Sequence, residues 1–301
     1  MATESHSPVA HALVLGGSYA GLSAALQLAR ARRRVTVIDA GVRRNRFAAS
    51  SHGFLGQDGR APGDIVADAR AQLLAYPNVQ WVDGQAAQAE PTRDGFAVIL
   101  EQGPAFHAQR LVLAIGVVDE LPAIDGLAER WGRSVFHCPY CHGYELQQGR
   151  IGVLASGPLA MHQALMLPDW GDVTLFTGGR FEPDAAQRAE LAARGVTVEP
   201  QPVIRIADTA TVELADGRRL AMAGLFAQSR THVASPIARQ LGCAFDDGPT
   251  GPYIRVDEAQ ATSVPGVFAC GDAARMAGNV ALAVGAGAMA GAATHRSLLF
   301  P

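Results

Sequence analysis

Ala12-Leu13-Val14-Leu15-Gly16-Gly17-Ser18-Tyr19-Ala20-Gly21 decides the fold of this chain. Four apolar residues read as a buried strand. The glycine turn Gly16-x-Ser18-x-x-Gly21 then leads into helical spacing through Ala31, with Leu22, Ala25, Leu26 and Leu28 or Ala29 on one side. Val35 to Ile38 reads as a second strand and ends at Asp39. Strand, glycine turn, helix, strand and acid form a β-α-β unit. Gly16 permits the tight turn, the central position lets the backbone approach a pyrophosphate, and Gly21 lets the helix pack close to the strand. The helix N-terminus offers free N–H groups to phosphate oxygens, and Asp39 stands where a carboxylate can accept from a ribose. Ser18 departs from the usual central glycine, and a tight turn without a ligand is the competing reading.

Beyond this unit, a helix is expected from Gly63 to about Ala75, and Val79 to Val82, Phe96 to Leu100 and Phe106 to Ala114 read as strands. Such a run of strands implies an antiparallel excursion. Pro122 and Gly126 punctuate a linker, and a new unit begins near Asp119. Ile151 to Leu154, Pro158 to Leu167 and Val173 to Phe176 repeat the opening layout across a second glycine turn, Ala155-Ser156-Gly157-Pro158-Leu159-Ala160. A helix over Asp184 to Arg194, a strand near Val196 and a hairpin at Gly217, between Thr211 to Leu214 and Leu220, follow. Leu225 to Ala227 is expected to return the chain to the first unit. Val267 to Cys270 reads as a final parallel strand before Gly271-Asp272, and a helix from about Val280 to Leu298 closes the chain. The expected class is α/β, with two Rossmann-like three-layer ββα domains: residues 1–118 and 231–301 form one, and 119–230 is inserted into it.

The 301 residues are 49% hydrophobic and 18% charged with a net charge of -3, so the chain can bury a sizeable core. No basic stripe or acidic tail suggests nucleic acid or a charged membrane surface. All 25 basic residues are arginine, which removes a P-loop, Schiff-base or general-base lysine. Met1 to His11 lacks a positively charged start followed by an apolar run, so no signal peptide is read. The most apolar segment, Val280 to Ala293, is about 14 residues and too short to span a bilayer. Cys138, Cys141, Cys243 and Cys270 are too sparse for a disulfide scaffold. One close pair fits a reducing compartment, and a cytoplasmic location is expected.

That pair is Cys138-Pro139-Tyr140-Cys141-His142, a dithiol followed at once by an imidazole, between the two glycine turns. Cys-x-x-Cys-His is also the c-type haem attachment pattern, which needs export and an axial partner. A zinc site needs two further ligands, usually another close pair, and Cys243 and Cys270 stand alone. A structural dithiol is the third alternative. The reading taken is a redox dithiol with no metal. With a histidine's ordinary pKa near about 6.5, His142 is the expected carrier of protons, and its imidazolium would lower the neighbouring thiol pKa. Cys243 and Cys270 read as packed thiols. His137 either tunes the dithiol or is incidental to it.

With Leu113-Ala114-Ile115-Gly116 and the stretch Thr262-Ser263-Val264-Pro265-Gly266-Val267-Phe268-Ala269-Cys270-Gly271-Asp272, these motifs resemble the low-molecular-weight thioredoxin reductase family of FAD-containing disulfide oxidoreductases over nearly the whole length. The resemblance implies a discontinuous FAD domain, an inserted pyridine-nucleotide-type domain carrying the dithiol, and a homodimer. It implies that Gly16, Ser18, Tyr19, Ala20, Gly21, Asp39, Gly116, Gly271 and Asp272 line FAD, with Asn279-Val280-Ala281 against the isoalloxazine.

Two departures matter. His142 stands where the family has an Asp, and Thr177-Gly178-Gly179-Arg180 stands where it has a His-Arg-Arg segment for the 2′-phosphate of NADPH. The second turn also begins with Ala155 rather than Gly. Arginine forks bind phosphate bidentately, so losing most of them puts NAD(P)H binding in doubt. Cys-x-x-Cys-His-Gly with Tyr144-Glu145, together with Arg44-Asn45 and His52-Gly53-Phe54, resembles the thiol-oxidase branch, which includes gliotoxin- and holomycin-type dithiol oxidases. There Arg44, Asn45 and His52 would join the flavin site.

The expected activity is FAD-dependent oxidation of a dithiol to a disulfide through Cys138 and Cys141, with oxygen as acceptor. An NAD(P)H-dependent thioredoxin reductase-like enzyme and a non-catalytic flavin redox sensor are the alternatives. Expected partners are a small dithiol or disulfide, or a thioredoxin-like protein, and oxygen, with neither nucleic acid nor membrane.

Overall fold

The computed structural model describes residues 9–300; residues 1–8, on which most of the reading of the N-terminus rests, and Pro301 lie outside it. The first unit opens with β1 (Ala10–Leu15), α1 (Tyr19–Arg30) and β2 (Val35–Asp39). β1 and β2 pair in parallel, Ala12 opposite Val35 through Leu15 opposite Ile38, which closes the β-α-β unit. After α2 (Pro62–Leu74) come β3 (Val79–Asp83), β4 (Ala86–Thr92), β5 (Gly95–Leu100) and β6 (Ala105–Leu113). The sheet order is β3-β2-β1-β6-β5-β4. β1, β2, β3 and β6 run parallel, and β4 and β5 form the antiparallel excursion. The sequence reading passed over β4 because Ala86–Thr92 carries no large apolar side chain to alternate; it is mostly exposed at the sheet edge.

β7 (Val117–Glu120) leads into the second unit. There β8 (Val135–Phe136), α3 (Pro139–His142), β9 (Arg150–Leu154), α4 (Ala160–Met166), β10 (Asp172–Phe176), α5 (Ala185–Ala193) and β11 (Thr197–Glu199) follow in turn. Asp184 and Gln187 close a capping box at the start of α5, which satisfies two backbone donors that the helix leaves open. β12 (Val203–Ala207), β13 (Thr211–Leu214) and β14 (Arg219–Ala221) make an antiparallel sheet turning at Gly217, and β15 (Gly224–Ala227) ends the unit.

β15 corrects one expectation. Leu225 to Ala227 do not return the chain to the first unit; they form an interior strand of the parallel sheet β11-β10-β9-β15-β8. All of β15 is buried, and a continuous apolar run of this kind suits a strand covered on both faces.

The chain returns through β16 (Arg230–Val233), which pairs with β7. α6 (Ile237–Gln240), the hairpin of β17 (Phe245–Gly248) and β18 (Gly251–Ile254), β19 (Val267–Ala269) and α7 (Val280–Ser297) complete the first unit. β19 runs parallel to the C-terminal part of β6, while β5 pairs with its N-terminal part. α7 lies directly on α1. A side chain at Gly287 or Gly291 would overlap Ala20 or Ala24, and Ser23 Oγ donates to the Val284 carbonyl at 2.8 Å. Among the described residues no helix is long and apolar enough to cross a membrane.

The chain divides into two compact units, with breaks at Val118/Asp119 and Arg230/Thr231. Residues 45–61, which the sequence reading leaves in the first unit, group with the second.

Candidate active site

In the second unit β8 runs through His137 to Cys138, whose extended backbone caps the one-turn helix α3, with Pro139 at its first position. Proline there gives up no helical hydrogen bond and presets the helical φ. One turn brings Cys141 back to Cys138, and the two form a disulfide with a Cα–Cα distance of 5.4 Å. Both residues are half-buried. Tyr140 between them is 72% exposed and meets Trp170 edge-on at 5.4 Å. Gly143 follows α3, and a Cβ there would come within 2.8 Å of the Trp170 ring. Gln163, buried on α4, donates from Nε2 to the His137 carbonyl at 2.9 Å and ties down the segment entering the dithiol. Sequence reading missed Gln163 and Trp170, since neither belongs to a local motif.

His142 ends α3 with its ring stacked on Phe136, centroids 4.2 Å apart. Burial, followed by the nearby His137, lowers its pKa to about 4; Glu145 pulls the other way and His52 adds to the lowering. This corrects the expectation of an ordinary histidine. Laid on a phenyl ring, the imidazole loses the water that would solvate its cation, so at neutral pH it is uncharged beside the disulfide. It is a vacant proton acceptor and not a resident cation that lowers a thiol pKa.

His52 belongs to this unit. Its Nε2 lies 3.4 Å from Glu145 Oε1 and 3.0 Å from Ser50 Oγ, and its Nδ1 lies 3.6 Å from Asp58 Oδ1. The sequence reading assigned His52 to the flavin and gave Glu145 no role of its own; the structure brings these two together. Cys243 and Cys270 are buried free thiols. Burial pushes Cys270 up to about 12 and also raises Cys243, so both stay protonated and inert.

The first unit carries the opening turn. Gly16 has φ +103°, and its N–H donates to the Ile38 carbonyl at 2.8 Å. The Gly17 N–H donates to Asp39 Oδ1 at 2.9 Å, tying the turn to the end of β2. Ser18 caps α1 without a side-chain bond, and no acid stands in the first turn, which begins with Tyr19 and Ala20. At the end of β19, Gly271 leads to Asp272, whose Oδ2 accepts from Arg44 Nη1 at 2.8 Å. The Gly116 carbonyl accepts from the Ala234 N–H. Asn279 Oδ1 accepts from the Leu282 N–H at 2.8 Å, so Val280 and Ala281 form the first positions of α7. Asn45, expected with Arg44, lies in the segment grouped with the second unit.

In the second unit the loop after β10 offers one exposed arginine, Arg180, beside buried Thr177. The Thr177 N–H donates to the Glu199 carbonyl. The Glu199 carboxylate is held by Arg218 at 2.7 Å, and that hydrogen bond lowers its pKa. Among the described residues no group of three or more His, Cys, Asp or Glu is placed to hold a metal ion.

A family model described as pyridine nucleotide-disulphide oxidoreductase matches residues 10–290. The chain belongs to that family. This oxidoreductase is 34% identical to Thioredoxin reductase tcpT of Claviceps purpurea, over 98% of its own length and 96% of that protein. Among solved structures it is similar to an oxidoreductase from Agrobacterium tumefaciens, with a TM-score of 0.95 and 58% identity over 97% of this chain and 99% of that one. It is also similar to HlmI, with a TM-score of 0.91 and 37% identity over 98% and 94%.

The oxidoreductase is thus thioredoxin reductase-like, with the two-domain α/β fold expected, and acts on thiols and disulfides. Thioredoxin reductase-like members of the family are FAD-binding flavoproteins, and the first unit fits that group. The bare turn of Gly16 to Gly21, a helix start free of acids, and carboxylates at the ends of β2 and β19 suit a pyrophosphate flanked by hydroxyl-bearing sugars.

Proposed function

We propose that this oxidoreductase is an FAD-dependent dithiol oxidase, converting a small dithiol to its disulfide through Cys138 and Cys141 with oxygen as acceptor. The observation that carries this reading is a formed Cys138–Cys141 disulfide on the one-turn helix that ends in His142, whose ring is stacked on Phe136. A disulfide accepts electrons from thiols, and a neutral imidazole accepts the proton that a thiol must lose before it attacks.

The first substrate thiol gives its proton to His142, and its thiolate attacks Cys138 Sγ. The bond between the two cysteine sulfurs breaks, and Cys141 leaves with the electron pair. The second substrate thiolate attacks the substrate sulfur of the mixed disulfide, releasing Cys138 as a thiolate. The substrate loses two electrons and two protons, and the protein disulfide gains the electrons. Gly16, Ser18, Gly21, Asp39 and Asp272 would hold FAD, which would supply a two-electron acceptor for the reduced cysteine pair, with oxygen as the final acceptor reduced to hydrogen peroxide. The setting we propose is a cytoplasmic homodimer.

The loop at Thr177–Arg180 supports an enzyme that does without NADPH, since one exposed arginine replaces a cluster. An NAD(P)H-dependent reductase of a small disulfide or a thioredoxin-like protein is the second reading. The name carried by the Claviceps relative favours it.

Anaerobic mixing with dithiothreitol, NADPH or NADH separates the two, read at the flavin band near about 450 nm. Bleaching by the dithiol alone, reversed by air with peroxide formed, supports the oxidase; rapid bleaching by NADPH supports the reductase. Dithiol-dependent oxygen uptake that survives Cys141→Ser would rule out both routes through the cysteine pair.

A further inference from the structure

Opening the Cys138–Cys141 disulfide with a dithiol leaves two protons to place. The thiolates themselves are poor resting places, because the thiolate is the form that reacts onward. His142 takes one proton. The second unit holds another titratable cluster beside it.

Glu145 lies three residues past His142, in the short 3-10 turn Tyr144–Leu146 that follows α3. It faces His52 Nε2, Asp58 faces His52 Nδ1, and Ser50 Oγ also reaches Nε2. A protonated imidazole donates from both nitrogens, and here a carboxylate stands at each. The gaps of 3.4 and 3.6 Å exceed the ~2.7–2.9 Å of a tight charge-assisted bond. The His52 side chain is 19% exposed and that of Glu145 is 42% exposed, which gives the cluster an outlet to water.

We propose that the His52–Glu145 pair is the second proton-holding group of the dithiol site, a positioning element that stores the proton released when the second substrate thiol attacks the mixed disulfide. The proposal rests on the thiol exchange described above but not on the direction of electron flow. The charged and titratable groups acting on His142 are His137, Glu145 and His52; those on His52 are Glu145 and Asp58. The Glu145 carboxylate favours a proton on His142 and His52 opposes it. A proton arriving on His52 therefore helps to discharge His142.

The test is disulfide opening in the holoenzyme by dithiothreitol, anaerobically, from pH 5 to 9. Acid quenching and thiol labelling count freed Cys138 and Cys141, and flavin bleaching is added to the count. His52→Gln and Glu145→Gln are each expected to slow opening about tenfold below pH 7 and to rejoin the wild type near pH 9, where dithiothreitol ionises unaided. The double variant should be no slower than either single one. A loss equal at every pH, with lowered flavin content or melting temperature, would mark a merely structural role and overturn the proposal, as would wild-type rates in both variants. His142→Gln serves as reference: if it too is normal throughout, the proton chemistry assigned to the dithiol site has failed, and the pair fails with it.

Discussion

Gly21→Ala tests the cradle of the first unit. A Cβ at Gly21 would overlap the Gly16 carbonyl oxygen and lie 2.9 Å from its carbon and 3.3 Å from Ala114 Cβ. Non-bonded heavy atoms need more than about 3 Å, and the oxygen overlap is the deepest, so the turn and the start of α1 must part by roughly 1 Å or more. Gly16 cannot drift freely. Its N–H is bonded to Ile38, and its neighbour's N–H is bonded to Asp39. Straining both bonds, one of them to a carboxylate, costs about 2–4 kcal/mol, equivalent to roughly 30- to 1,000-fold in FAD affinity. The assay strips the flavin and titrates FAD back by its fluorescence, with melting of the apoprotein as a control. Gly157→Ala in the second turn is the comparison, since nothing lies within 4 Å of a Cβ there; it should leave both quantities unchanged. An alanine at position 21 with an FAD dissociation constant within threefold of the wild type would refute the packing argument.

His142 has a folded-state pKa of about 4 against an ordinary 6.5. Below pH 6.5 the unfolded chain binds the extra proton first, so stability is full above that value and is lost as pH falls toward 4. The loss approaches about 3 kcal/mol. Melting temperature against pH should drop more steeply in the wild type than in His142→Gln over that window, and parallel curves would contradict the lowered pKa. Thiol titration of the native oxidised protein at pH 7 should find neither Cys243 nor Cys270, and anaerobic reduction should expose Cys138 and Cys141 alone; early labelling of Cys270 would contradict its burial. Calorimetry should show NADPH binding no better than millimolar, and Arg180→Ala should change it little; micromolar binding abolished by that variant would restore the reductase reading. NMR titration of the His142 ring should show its midpoint rising on reduction of the disulfide, and an unmoved midpoint would remove the thiolate as its partner.

The parts of the fold legible in the sequence were those whose signal is local. β1, α1 and β2 announce themselves because an apolar run, a glycine turn and a helical stripe are each complete within a few residues. The second unit repeats that grammar at β9, α4 and β10. β4 was silent because an exposed edge strand needs no apolar alternation. β15 was misassigned because a short apolar run fits any sheet and does not say which. The site divides the same way. Cys138, Cys141 and His142 form one contiguous motif. The contacts that set the character of His142 come from Phe136, six residues earlier, and from His52, far earlier in the chain in a segment that groups with the same unit. A pKa is a property of surroundings, so the identity of His142 suggested a proton carrier while its burial decided which form is at rest.

That resting form has a consequence for how the site handles charge. An acid at position 142 would be negative at neutral pH, and a thiolate created beside it would meet repulsion in a half-buried place. A neutral imidazole stacked on Phe136 meets the same thiolate without a charge and can become its counterion. A nearby thiolate favours the imidazolium and so raises its pKa. This would raise His142 above about 4 only while the disulfide is open. The burial that strips His142 of its proton in the oxidised protein thus makes its basicity depend on the redox state of Cys138 and Cys141. Thiolate and imidazolium arise together and vanish together, so neither is left as an isolated charge in a poorly solvated site.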